Sequence, residues 1–127
     1  MKPITEKWLK RVEYDIETAR AMLRSNRYLY VIFCCQQSVE KALKALIAEQ
    51  SEEMPPRIHN LRRLAQSLNL ELNESQDILF GFLSQFYIDA RYDTFVNELA
   101  STVSSEKAKQ ILKQTEDVLE WLLSRLT

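Results

Sequence analysis

The sequence has 127 residues and a formal net charge of −1, from 17 Lys and Arg against 18 Asp and Glu. This length holds one domain, and a hydrophobic content of 46% is enough to build a core. The single glycine excludes collagen and glycine-rich phosphate loops, and it disfavours the turns that β-sheets need. A balanced charge is also unlike the basic character of most nucleic-acid-binding domains. Composition therefore predicts one all-α domain over residues 1–127.

Two long helices are predicted in the first half of the chain. The first spans about residues 3–25, and its apolar face includes the carboxylate of Asp15, which needs a partner if it is buried. The second spans about residues 28–50. Its polar face mixes two aromatic residues with four polar ones, which is unusual for a simply solvated surface: Tyr30, Phe33, Gln37, Glu40, Lys41 and Lys44.

Three further helices are predicted in the second half. A loop at residues 51–57, containing paired prolines, precedes a short helix over about 58–68. Asn73 and Gln76 have the spacing of a capping box and begin a helix that runs to about residue 91. Residues 93–102 are predicted as a loop or frayed end. The last helix, about 105–125, has a long apolar stripe that forms core or, in part, a dimer interface. The result is an antiparallel five-helix bundle.

The two cysteines are adjacent, at positions 34 and 35, so a disulfide between them would require a distorted backbone. No metal-ligand spacing occurs in the sequence, and we predict free thiols, no metal and no cofactor. No stretch approaches the roughly 18 apolar residues that a membrane-spanning helix needs. We therefore expect a cytoplasmic protein with no membrane segment.

Arg91 lies at the end of the fourth predicted helix, at the edge of its apolar face, and is the residue most suited to binding an anion. If the second and fourth helices pack together, Arg91 approaches the polar face of the second helix, as does Asp15. Arginine with lysine nearby and a tyrosine for stacking, here Tyr92, suits a phosphate or nucleotide. The alternative is a structural network in which Asp15 and Glu40 neutralise the cations.

The motifs of the chain, in their order, resemble the HEPN domain family. The stretch Tyr28–Leu46 resembles the second helix of that family, with an aromatic-containing run, a Gln-Gln pair and then Glu-Lys-x-x-Lys-Ala. Asp15 and Ala19 resemble its first-helix Asp-x-x-x-Ala. His59–Leu61 resembles its His-x-Leu before the third helix, and Tyr87–Asp93 resembles its Tyr…Arg-Tyr-Pro-Asp segment.

The resemblance implies a five-helix up-and-down bundle that often dimerises, and it implies two functional branches. One branch contains ribonucleases, many of them toxins, in which four to six intervening residues separate the catalytic arginine from a histidine. This chain has Val96, Asn97 and Glu98 at those positions. Its only histidine, His59, lies far upstream and is expected to cap or pack locally, unless the fold brings it close.

The other branch contains non-catalytic members that bind nucleotides or pair with a minimal nucleotidyltransferase, and we assign the chain to it. The expected partners are a second copy of the chain, a minimal nucleotidyltransferase in a toxin–antitoxin-type pair, and a nucleotide or RNA. No catalytic residue is assigned. Two alternatives stay open: a metal-independent endoribonuclease and a purely structural dimerisation domain. The predicted site consists of Arg91, Tyr92, Lys41, Lys44, Gln37 and Glu40, with Asp15 as a supporting ion-pair partner.

Overall fold

The computed structural model describes residues 1–126 and every side chain within them except those of residues 93–96. The described chain is all-α, as predicted, and has six α-helices and no strand. The side chains of Asp93 and Val96, which the family resemblance singled out, lie outside this description. The elements are α1 (Pro3–Arg24), α2 (Tyr28–Gln50), α3 (Leu61–Ser67), α4 (Glu74–Ala90), α5 (Asp93–Thr102), α6 (Ser105–Leu123) and a 3₁₀ turn (Ser124–Leu126).

Helix α2 is the centre of the bundle and is buried almost all round by α1, α3, α4 and α6. Helix α1 runs antiparallel to it, because the connection contains only a tight turn in which Asn26 has a φ of 61°. At the other end, the backbone amide of Lys2 donates to Glu49 Oε1 at 2.9 Å. The polar part of the face predicted for α2, from Gln37 to Lys44, therefore lies largely inside the bundle, whereas Tyr30 on the same face is half exposed.

Helix α3 is shorter than predicted because its cap fixes its start. The side chain of Asn60 accepts a hydrogen bond from the backbone amide of Arg63, so the helix begins at Leu61 and residues 58–60 are extended. The amide of Leu61 donates to Ser84 Oγ at 3.0 Å, which docks α3 onto α4.

The only glycine of the chain serves the same junction between α3 and α4. The guanidinium of Arg62 lies directly over Gly81, where any Cβ would collide with it. That guanidinium also pairs with Asp77 at 2.9 Å. Gly81 is therefore needed for close approach rather than for backbone freedom.

Residues 93–102 form a helix, α5, so the predicted loop is wrong. The polar composition of this segment favours turns, but Leu99 packs against the core and Val103 is buried directly after the helix. The hydroxyls of Ser101 and Thr102 bond back to carbonyls one turn earlier. Tertiary packing therefore overrides weak local propensity here.

Helix α6 packs its whole apolar stripe into the core, from Ala108 to Leu122. The capping box at Asn73 is present, as predicted. Both cysteines are free, and burial raises the pKa of Cys34 to about 11 and that of Cys35 to about 12, so both remain unreactive thiols. None of the described helices combines the length and apolar character needed to cross a bilayer.

Candidate functional site

The structure divides the predicted site residues between two places. Four of them lie on α2 inside the bundle: Gln37, Glu40, Lys41 and Lys44. The other two, Arg91 and Tyr92, lie at the exposed end of α4. The two places are connected by side chains that were not in the predicted set, above all His59 and Tyr87.

The inner group is a chain of polar contacts, which we call the α2 network. Asp15 on α1 faces Lys41, with Oδ2 and Nζ 3.6 Å apart. Lys41 Nζ donates to Gln37 Oε1 at 2.9 Å, and Gln37 Nε2 donates to Gln36 Oε1. Burial raises the pKa of Asp15 and lowers that of Lys41, and in both cases it outweighs their mutual attraction. Lys41 therefore serves the interior of the bundle and is not available to an outside ligand.

Glu40 is the junction of the α2 network. One of its carboxylate oxygens accepts from Gln36 Nε2 at 3.0 Å and contacts His59 Nδ1 at 2.9 Å. The other accepts from Lys44 Nζ at 3.1 Å. Burial alone would raise the pKa of Glu40, but the hydrogen bonds from Gln36 and His59 together with the Lys44 charge hold it below its usual value. Glu40 is therefore a buried carboxylate.

His59 is the exposed end of this network, which corrects the expectation of a purely local role. Asn60, not His59, caps α3. The imidazole reaches Glu40 on α2 and packs on the ring of Tyr87 on α4, with ring centres 4.9 Å apart. Its side chain is still 46% exposed. Nineteen positions of sequence separate His59 from Glu40, so no local pattern predicts their contact.

Arg91 and His59 line the same open cavity, of about 270 Å³. The guanidinium of Arg91 lies over the Tyr87 ring, with its carbon 5.3 Å from the ring centre. Arg63 on α3 lines the cavity from a third side. No acidic side chain of the described chain lines it. We call this space the Arg91 cavity. Two arginines and a histidine line it, and the one carboxylate that contacts them, that of Glu40, is buried behind His59, so the cavity favours an anion.

Aromatic side chains extend from the Arg91 cavity along the surface. Phe33 stacks on Tyr87 with ring centres 5.4 Å apart, and Tyr30 meets Phe33 edge-on at 6.5 Å. Tyr30 and Tyr92 are both about half exposed. Tyr92 also lines a second opening with Ile88 and Arg91. The mixture of aromatic and polar residues noted on α2 is thus explained in part by this row.

Sequence reasoning missed His59, Arg63 and Tyr87 as members of one cavity. The available signal was the His-x-Leu motif before α3, whose position is set by the irregular segment 51–60 rather than by any helix. Within the described residues, no three His, Cys, Asp or Glu side chains cluster closely enough to hold a metal ion.

Comparisons with known proteins agree with this fold. The HEPN domain model matches residues 5–126. The protein named "Putative toxin MJ1304" from Methanocaldococcus jannaschii is 27% identical over 124 residues, covering 89% of this chain and 82% of that protein. The crystal structure of TT1696 from Thermus thermophilus has a TM-score of 0.81 at 20% identity, over 94% of this chain and 96% of that one. ST0689, described as an archaeal HEPN homologue, has a TM-score of 0.75 at 25% identity over the full length of both chains.

Proposed function

This chain belongs to the HEPN domain family, and from that premise we propose that it is a cytoplasmic module of a toxin–antitoxin-type pair that binds the phosphate of a nucleotide or RNA in the Arg91 cavity. The relative named as a putative toxin supports the pairing. Because Lys41 and Lys44 are buried and already paired, the proposal gives the ligand to Arg91, with Tyr92 beside it. In this proposal Gln37, Glu40 and Asp15 support the site from inside the bundle and do not contact the ligand.

One observation carries the binding proposal: Arg63, Arg91 and His59 line one cavity, and no acidic side chain is among its described lining residues. Guanidinium groups bind phosphate through paired N–H donors, and three elements of the fold contribute to the cavity. Exposed aromatic rings next to a phosphate site can stack a base. The net charge of −1 does not oppose this, because a local cavity lined by two arginines can attract an anion whatever the total charge.

Thermal unfolding with added ligand tests the binding proposal. The ligands are a panel of nucleotides and a short single-stranded RNA with 2′-O-methyl riboses, which is resistant to cleavage. A ligand present at about 100 times its Kd should stabilise the wild-type chain by roughly 2.7 kcal/mol. We expect Arg91→Ala to abolish that stabilisation.

Arg125→Ala is the matched control for this experiment. Arg125 lies over the Trp121 ring at 4.9 Å, much as Arg91 lies over Tyr87, but it does not line the Arg91 cavity. The control should keep the full stabilisation. A wild-type chain that no ligand stabilises would contradict the proposal and favour the purely structural alternative.

RNA cleavage is a second candidate function, and one observation favours it. The sequence argument against a ribonuclease was the missing histidine after Arg91, but His59 lines the cavity that contains Arg91. An imidazole beside a phosphate-binding arginine is the pair of groups that 2′-hydroxyl attack on RNA requires.

The partner proteins we propose are a second copy of the chain and a minimal nucleotidyltransferase. Ile88 and Tyr92 are 47% and 57% exposed beside the cavity and offer an apolar surface for such contacts.

Induction of the chain alone in a bacterial host should arrest growth, and coexpression of the nucleotidyltransferase should restore it. Light scattering on the purified chain should give the mass of a dimer. Unaffected growth would contradict the toxin-type role, and a monomer mass would contradict self-association.

A further inference from the structure

We infer that His59 is the proton-transfer residue of the Arg91 cavity and that Glu40 and Gln36 position it. This inference rests on the second candidate function, RNA cleavage. It gives His59 the task that the ribonucleases of the family leave to a histidine after the arginine, which this chain lacks.

His59 is held by the α2 network at two points. Gln36 Nε2 donates to the His59 carbonyl at 3.1 Å, which fixes the backbone. Glu40 Oε1 lies 2.9 Å from Nδ1, which fixes the rotation of the ring. Tyr87 supports one side of the ring. A half-exposed histidine at the start of a helix does not need this support for stability, whereas a group that transfers protons must be held in place.

The contact with Glu40 also sets the tautomer of His59. Hydrogen bonds and the Lys44 charge keep the pKa of Glu40 low despite burial, so its carboxylate can only accept hydrogen bonds. Neutral His59 must then carry its hydrogen on Nδ1. Its Nε2 keeps the lone pair, in a side chain that lines the Arg91 cavity. A carboxylate that orients a histidine in this way prepares the other nitrogen as a general base.

The reaction needs no further reactant. Nε2 of His59 takes the proton of a ribose 2′-hydroxyl, and the 2′-oxygen forms a bond to the adjacent phosphorus. The bond from phosphorus to the 5′-oxygen breaks, and that oxygen takes a proton from the imidazolium. Arg91 and Arg63 stabilise the extra negative charge on the phosphoryl oxygens during the exchange. The products are a 2′,3′-cyclic phosphate and a 5′-hydroxyl.

The α2 network gives this role a structural basis that an isolated ion pair would not. Lys44 holds the second oxygen of Glu40, so the carboxylate cannot turn away from His59. Gln37 donates to Gln36 and fixes the amide that binds the His59 carbonyl. The Gln-Gln and Glu-Lys-x-x-Lys residues of α2 thus converge on one exposed side chain.

Chemical rescue tests the inference directly. End-labelled RNA is incubated with the wild-type chain in EDTA, and we expect products that end in a 2′,3′-cyclic phosphate. His59→Ala should lower the rate by about a hundredfold or more. Added imidazole should restore part of the rate to His59→Ala and none to Arg91→Ala, because only the first variant lacks a proton acceptor. Rescue of this kind would not follow from a structural role.

The binding proposal and the inference fail in different ways. Affinity for the 2′-O-methyl RNA should be lost in Arg91→Ala and unchanged in Arg125→Ala, since Arg125 does not line the Arg91 cavity. If the wild-type chain binds this RNA but does not cleave the unmodified one, the inference is overturned and the binding proposal stands. Cleavage that persists in His59→Ala would overturn the inference as well.

Glu40→Gln tests the positioning role. We expect its kcat to fall about tenfold or more while KM for RNA stays unchanged, since Glu40 acts through His59. Far-ultraviolet circular dichroism should show a wild-type helix content. If KM rises and kcat is unchanged, Glu40 serves binding and its positioning role is wrong. Should Glu40→Gln fail to fold, the same separation of kcat from KM is measured on Gln36→Met, which removes the amide that donates to Glu40 and to the His59 carbonyl and adds no charge.

Discussion

At the scale of single residues, the contact between Asp15 and Lys41 shows how the bundle tolerates internal charge. Their charged atoms are 3.6 Å apart, and the Asp15 side chain is 19% exposed against 7% for Lys41. Burial opposes both charges. Asp15→Asn would leave the Lys41 ammonium buried with Gln37 as its hydrogen-bond acceptor. We expect it to leave the free energy of unfolding unchanged or to raise it at neutral pH, measured by urea denaturation, because burial costs the ionised carboxylate more than Lys41 returns.

A double variant is the control for that prediction. Asp15→Asn combined with Lys41→Met removes both charges, and it should be at least as stable as the wild type, because burial opposes the Lys41 charge as well. Acid conditions give a second check. Because the pKa of folded Asp15 is raised, the wild-type residue becomes neutral above its usual range as the pH falls. Protonation should then add stability to the wild type and none to Asp15→Asn, so any excess stability of Asp15→Asn should disappear in acid. A stability of Asp15→Asn well below that of the wild type at neutral pH would contradict the raised pKa.

At the scale of elements, the long helices were predictable because each buries a regular apolar face. The boundaries of α1, α2 and α4 agree with the periodicity to within a residue, and the Asn73 capping box marks a true helix start. Helix α5 was missed because its hold on the core depends on packing through Leu99, which no local pattern reveals. Local propensity determines the secondary structure of a segment only where tertiary contacts do not override it.

The same distinction explains what was predictable of the site. The approach of Asp15 to Lys41 followed from helix spacing, since both lie on regular helices that pack together. The position of His59 did not, because residues 51–60 are irregular and their path across α2 is fixed by long-range hydrogen bonds. Arg63 depends on the same path, because its helix starts where that segment ends.

At the scale of the whole molecule, charge is balanced overall but not locally. The net charge of −1 gives no general attraction for a polyanion. Two arginines, Arg63 and Arg91, line the Arg91 cavity, and no acidic side chain is among its described lining residues. Binding of RNA should therefore depend on this cavity rather than on a diffuse field around the protein. The two kinds of binding differ in the salt dependence of the affinity, because each phosphate contact adds separately to that dependence.

The salt dependence of RNA affinity is thus a test of the whole charge distribution. Two contacts to a single strand should give a slope of log Kobs against log salt of about −1.4, since each contributes roughly −0.7. Arg63→Ala should reduce that slope by about 0.7, and Arg125→Ala should leave it unchanged. The measurement is a titration of labelled 2′-O-methyl RNA at a series of salt concentrations. A slope several times steeper in the wild-type chain would mean that many surface cations take part, and the Arg91 cavity would then not be the binding site.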